Sequence, residues 1–297
     1  MPFAGEIAAL ATSFFWAMGP LMFALAGREL GSVNVNRLRL LAGTVMLIAL
    51  HWGLTGHLFP VGASPSNYIW LTASGLVGLV IGDSFLFQAL IMLGARVTML
   101  IFSLAPVMAS VLAWIIYGET LEPLQIAGIV VTLAGVSWVV SERSPNGGAR
   151  AIQKKSLLIA LAGAAGQAGG LLLARKGLAG DLPSISGHLI RLGSAAVIIW
   201  LLALARGNAM SSFRAARQKP RGSAYTLAGS VLGPLIGVWL SLVAIRYTSL
   251  GVASTLMALP PLFLLPVDRW IFGIRVPPRA VWGTLLALAG VALLFLS

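Results

Sequence analysis

The chain has 297 residues, 58% of them apolar and only 9% charged, with a mean hydropathy of +0.94. Soluble domains carry about a quarter charged residues, so this composition excludes a water-soluble globule and points to a surface that meets lipid. The net charge of +12 does not make a nucleic-acid binder, because the basic residues lie between apolar runs rather than on a module with interleaved aromatics.

A bilayer crossing takes about 20 apolar residues, and lipid-facing backbone must satisfy its own hydrogen bonds, so long apolar runs read as helices. Ten such runs follow one another at about 6–26, 38–55, 68–93, 97–116, 123–141, 156–175, 187–205, 224–246, 250–268 and 279–297. No basic stretch precedes the first, which therefore reads as a membrane helix rather than a removable signal. With ten crossings, sixteen of the 20 Lys and Arg residues fall in loops on one side. The other side keeps Arg175, Lys176, Arg191 and Arg246. Positive loops stay in the cytoplasm, so both termini are expected outside the cytoplasm of a cell inner (plasma) membrane. The absence of cysteine removes disulfides and thiolate metal sites, and His51, His57 and His188 have no metal-ligand spacing. Neither a cofactor nor a metal is expected.

Near the midpoint, "SERSPNGGARAIQKKS" (141–156) is charged and turn-rich, and it divides the chain into units 1–141 and 156–297 around a linker at 142–155. Sliding the sequence by 155 positions, without a gap, aligns "GLVIG" (78–82) with "GPLIG" (233–237). The same shift pairs Pro106 with Pro261, Gly118 with Gly273, Gly128 with Gly283 and the two "LAGV" stretches (133–136, 288–291). An odd number of crossings per unit makes the second copy enter from the opposite face. That is the inverted-topology repeat of many secondary transporters, whose cargo sits near the midplane between copies. The expected fold is an all-α polytopic membrane protein of ten transmembrane helices in two inverted five-helix repeats.

On these residues the chain resembles the drug/metabolite transporter superfamily and its EamA family. The resemblance rests on Pro106 and Pro261, "YGETLEPLQIAG" (117–128) with its counterpart "FGIRVPPRAVWG" (272–283), the paired "LAGV", and the arginines opening "RLRLLAG" (Arg39) and "RLGSAA" (Arg191). Three features depart from the family pattern: its Gly-Glu pair becomes Gly273-Ile274 in the second copy, the second-to-third loop "GLTGHLFPVGASPSNY" has no Lys or Arg where many relatives have basic residues, and the charge bias reverses its usual cytoplasmic termini. The resemblance implies a central cavity lined by helices 1, 3, 4, 6, 8 and 9, with 5 and 10 as buttresses. It implies export of amino acids and other small metabolites, with the YddG-like amino-acid exporters as the leading subgroup.

Candidate site residues follow from polarity inside apolar spans. A charged carboxylate at the bilayer centre costs at least about 2.5 kcal/mol and normally faces protein or a wet cavity. Asp83, with Ser84 and Gln88 in the same polar sector, is such a group: it meets a substrate ammonium, takes up a proton, or pairs structurally with Arg39 or Arg191. Ser103 and Gln167 are further polar groups in apolar spans, and His188 sits near the start of the seventh helix beside Arg191. Trp16 and Trp239 lie inside spans where a ring can wall an aromatic or apolar cargo. Pro106 and Pro261 recur in both copies as gating or hinge positions. The glycines Gly75, Gly78 and Gly82, continued by Phe85 and Ala89, read as a packing stripe of the kind small residues make between membrane helices.

No catalytic cluster and no nucleotide-binding loop is present, so the chain is not expected to be an enzyme or an ATP-driven pump. The energy source is then the cargo's own gradient or a proton gradient. The expected partners are a small-molecule substrate, the lipid bilayer and a coupling proton. Nucleic acid is not among them, and the chain is expected to act as a monomer. An organic-anion or nucleotide-linked metabolite carrier is the alternative within transport; a non-transporting receptor or assembly factor is the alternative outside it.

Overall fold

A computed structural model describes residues 3–141 and 153–295, so most of the expected linker lies outside the described residues, with Arg143 and Arg150 in it. Helix α1 (Ala4–Leu30) and helix α2 (Ser32–Thr55) are joined by Gly31 alone. Its φ of 82° and ψ of 151° lie in a region that only glycine enters readily, which lets the chain reverse on one residue. Helix α3 (Pro65–Ser74) widens into a π-helical segment, Gly75–Gly82, and continues as α4 (Asp83–Phe102). The 38 residues Pro65–Phe102 form one apolar helical record, about 57 Å at 1.5 Å per residue and far too long for one crossing. Gly94 (φ 78°, ψ 169°) breaks it. The second limb then runs on into α5 (Leu104–Tyr117), and α6 (Pro123–Val140) completes the first repeat.

The second repeat comprises α7 (Lys154–Gly177), α8 (Ser184–Ala205), a short α9 (Ala209–Gln218) and α10 (Pro220–Ser230). A second π segment, Val231–Gly237, leads into α11 (Val238–Tyr247), followed by α12 (Leu250–Met257), α13 (Pro260–Trp270) and α14 (Pro278–Phe295). Nine helices among the described residues are long and apolar enough to cross a membrane, and the break at Gly94 divides one of them, giving ten crossings. The sequence reading left residues 206–223 as a loop; α9 lies there.

The repeat is visible in backbone detail as well as in sequence. The wide turns close with Asp83 N–H donating to Gly78 O and Val238 N–H to Gly233 O, each five residues back and 155 apart. Proline at 106 and 261 cannot donate to the carbonyls of Phe102 and Met257. Both helices turn there, at Ser103 (ψ −10°) and Ala258 (ψ −1°). Gly118 and Gly273 then take matching positive φ values of 67° and 65° before α6 and α14 start at a proline.

The two repeats exchange their first helices. Helix α7 of the second repeat packs on the first π segment and α4, while α1 of the first packs on α10, the second π segment and α11. Glycine makes this possible: a Cβ on Gly170 would stand 2.7 Å from Gly78 Cα, and one on Gly229 2.7 Å from the Phe23 ring. Helices α6 and α14 pair along Gly128, Gly135, Gly283 and Gly290, where backbones touch. The expected glycine stripe needs one correction. The π turn shifts the phase of the helix, so Phe85 leaves the seam at 39% exposure. Leu86 takes its place, its backbone N 3.1 Å from where a Cβ on Gly163 would be.

Candidate functional site

The polar sector Asp83, Ser84 and Gln88 meets a matching stripe on α2 made by Ser32, Asn36 and Arg39, one residue per turn. Ser32 Oγ donates to Gln88 Oε1 at 2.8 Å. Asn36 Nδ2 donates to Ser84 Oγ and to the Leu79 carbonyl, each at 3.1 Å. Ser84 Oγ in turn donates to Val80 O at 2.5 Å. Two carbonyls of the wide turn are thereby satisfied by side chains, which is how a distorted membrane helix avoids naked backbone. At the end of the stripe, Arg39 Nη2 donates to Asp83 Oδ2 in a buried ion pair, both side chains 8% exposed. The Arg39 guanidinium also lies over the Phe87 ring, 5.1 Å from its centroid. Asp83 thus sits against a cation from its own repeat.

The second repeat brings Arg191 and Gln167 to the same region from the other side. Arg191 Nη2 reaches Gln167 Oε1 at 3.4 Å and would be 2.7 Å from a Cβ on Gly78, so it lies against the first π segment. Its Nε is buried without a partner, and it has no ion pair among the described residues. Asp83, Arg39, Arg191 and His188 are near enough to act on one another electrostatically. One acid and two guanidiniums leave the group with an excess positive charge.

The repeat relation explains the difference between the arginines. Arg39 and Arg191 are each the eighth residue of their helix, and the 155-residue register pairs Asp83 with Val238, so the second repeat has no acid at the position of Asp83. The packing differs in the same sense. Helix α2 packs along α4, whereas a narrow crevice, too tight to admit a water molecule, runs between α2, α8 and the second π segment. It is lined by Gly43, Met46, His188, Leu192, Ser230 and Pro234 among others.

The remaining sequence candidates are dispersed. Trp16 packs on Gly237, where α1 crosses the second π segment. Trp239 is 51% exposed on α11. Ser103 Oγ donates to Leu100 O at 2.6 Å at the helix turn, three residues before Pro106, and Pro261 is buried at the matching turn. Sequence reasoning missed Asn36 and Ser32. Both stand four or fewer residues from Arg39 or Asn36 along one helical face, and that period was the signal available.

Ties between repeats also mark the two ends of the assembly. Arg96 Nε donates to Asp268 Oδ2 at 2.6 Å on the side of the basic loops. On the opposite side Arg175 pairs with Glu119 at 2.6 Å, and Thr248 Oγ1 donates to Glu6 Oε1 at 2.9 Å.

The sequence profile of the EamA-like transporter family matches residues 3–141 and 154–296. The chain belongs to the EamA-like transporter family. Comparison with curated proteins returns no match. A solved crystal structure is similar over 99% of this chain and 96% of its own, at a TM-score of 0.54 and 19% identity, a likeness of fold alone. This EamA-like protein is therefore a multi-pass membrane transporter of two repeats, with an ionised cluster where they meet.

Proposed function

We propose that this EamA-like protein is a secondary transporter that exports small metabolites, amino acids foremost, by alternating access to a chamber between its repeats. The observation that carries the reading is the cluster of Arg39, Asp83, Arg191, Gln167 and His188, drawn from both repeats within the membrane span. Intramembrane charge is expensive and belongs on substrate or ion pathways. Wide π turns at repeat-equivalent positions on either side of the cluster supply backbone that can shift, as such turns do at functional sites. Aromatic and apolar cargo suits spans as apolar as these. Protein acting as a monomer, a coupling proton drawn to the ionised cluster, and YddG-like amino-acid preference belong to the same proposal. So does an inner-membrane location with both termini outside the cytoplasm, on the strength of the lysine and arginine bias.

An organic-anion carrier is the second reading, favoured by one observation: Arg191 lacks a carboxylate partner among the described residues. Counterflow decides. Purified protein in liposomes loaded with mixed amino acids should accumulate labelled amino acid from outside; accumulation of organic anions alone selects the second reading. Absence of flux for every solute points instead to a receptor or assembly factor. Because the chain has no cysteine, single cysteines placed in the basic loops report orientation without background.

A further inference from the structure

We infer that Arg191 is the binding cation for a substrate carboxylate, which takes in the second repeat the place that Asp83 holds in the first. The inference deepens the transporter reading and rests on it for the word substrate, but not for the site. Three observations carry it.

The first is charge. Arg39 and Arg191 are each the eighth residue of their helix, α2 and α8, and among the described residues only Arg39 of the two has an ion pair. Val238 replaces the carboxylate that repeat symmetry would set beside Arg191. An unpaired guanidinium buried in a membrane protein is costly, and an incoming anion recovers that cost through charge-assisted hydrogen bonds.

The second is hydrogen-bond capacity. Guanidinium offers five N–H donors in a planar fork. Arg191 spends one of them on a long 3.4 Å contact to Gln167, and its Nε has no partner. Arg39 also has an unpartnered Nε, yet its charge is neutralised by Asp83.

The third is packing. The first repeat closes α2 onto α4, and among the described residues α8 makes no comparable contact with α11. The crevice between His188 and Leu192 on α8 and Ser230 and Pro234 is too narrow for a water molecule, so a ligand enters only as α8 moves. His188 lines the crevice, and Arg191 stands one helical turn further along α8, outside its lining. Met46, Leu47 and Leu192 in that lining suit an acid carrying a hydrocarbon or aromatic group. Asp83 is bonded to Arg39 and acts on Arg191 at longer range, without an ion pair.

The test is ligand binding to the purified full chain, read as thermal stabilisation, alongside flux in liposomes. Two matched sets separate the charged ends: phenylalanine, 3-phenylpropionate and phenethylamine; leucine, 4-methylpentanoate and isoamylamine. The amino acids and the acids should stabilise the protein and compete for one site, and the amines should not. Arg191→Gln should raise the half-saturating acid concentration at least tenfold. Arg191→Lys should recover part of it, since it keeps the charge without the planar fork. An acid and its amine acting equally, no response to any of the carboxylates, or an unchanged half-saturation in Arg191→Gln overturns the inference. If Arg191→Gln does not fold, the wild-type comparison of acids with amines decides alone. Carboxylate binding through Arg191 without flux would uphold the site and sink transport; amino-acid flux that ignores both the carboxylate and Arg191 would do the reverse.

Discussion

Replacing Asp83 by asparagine leaves Arg39 buried with no counter-charge, its side chain 8% exposed. At a separation of about 3 Å and an effective dielectric of about 20, the Coulomb attraction of such a pair is about 5 kcal/mol. Breaking a buried pair by removing one partner costs about 3–5 kcal/mol, whereas replacing both partners by apolar groups of similar volume is near neutral. Asp83→Asn should therefore destabilise the protein by about 3–5 kcal/mol. Arg39→Met should do likewise by leaving the acid alone, and the Arg39→Met/Asp83→Leu double variant should recover most of the loss. The measurement is a double-mutant cycle on unfolding free energy in detergent micelles or bicelles. A coupling energy near zero, with the two single losses simply adding, would show that the pair is not holding α2 to α4. Flux read on the same proteins then separates scaffold from mechanism. A double variant that is stable but inactive places the pair in the transport cycle, and one both stable and active confines it to the scaffold.

Three further outcomes follow from the packing. Arg96→Asp or Asp268→Arg alone should make cysteines placed between α4 and α13 on the side of the basic loops more reactive towards an impermeant reagent, and the reciprocal swap of both should restore protection; no rescue refutes the pair as a tie between the repeats. Gly290→Ala pushes a methyl group into the Thr132 backbone and should lose about 1–3 kcal/mol, while Gly53→Ala meets nothing within 4 Å and should be neutral or stabilising, both read by thermal unfolding. Helix α9 carries Arg214 and Arg217 with exposed Met210 and Phe213, the pattern of an interfacial helix; Arg214→Gln/Arg217→Gln should weaken any stabilisation by anionic lipid and leave that by neutral lipid unchanged.

Much of the fold could be read from the sequence because lipid enforces it. Apolar length gives the spans, and the glycines and prolines at a 155-residue interval give the repeat. The π segments were not legible: "GLVGLVIG" and "VLGPLIG" look like ordinary small-residue faces until the backbone shows a turn closing five residues back. That single extra residue per turn rotated everything after it, which is why Phe85 was placed on the wrong face while Gly78 and Gly82 were not. The site was legible in half. Asp83 stood out because it is acidic in an apolar run; Asn36, its neighbour across α2, is a neutral amide beside two arginines and near the end of a span, where polarity is unremarked. Which of the two arginines held the acid depended on packing between helices far apart in sequence, and no local pattern encodes that.

The asymmetry of the two repeats has a mechanical reading. An inverted duplication can alternate access if each half takes in turn the packing the other has. Here the first half is closed, with α2 tied to α4 through Arg39 and Asp83, and the second has no comparable α8–α11 packing among the described residues. Exchange of those packings requires the Arg39–Asp83 pair to separate while α8 closes on the second π segment. The second half has no acid of its own to draw Arg191 inward, since Val238 stands there. A carboxylate on the cargo would furnish that attraction, so closure of the loaded second half and release of the first would be coupled through charge. An empty carrier would lack that closing force and return slowly, so exchange of cargo for cargo would outpace net flux.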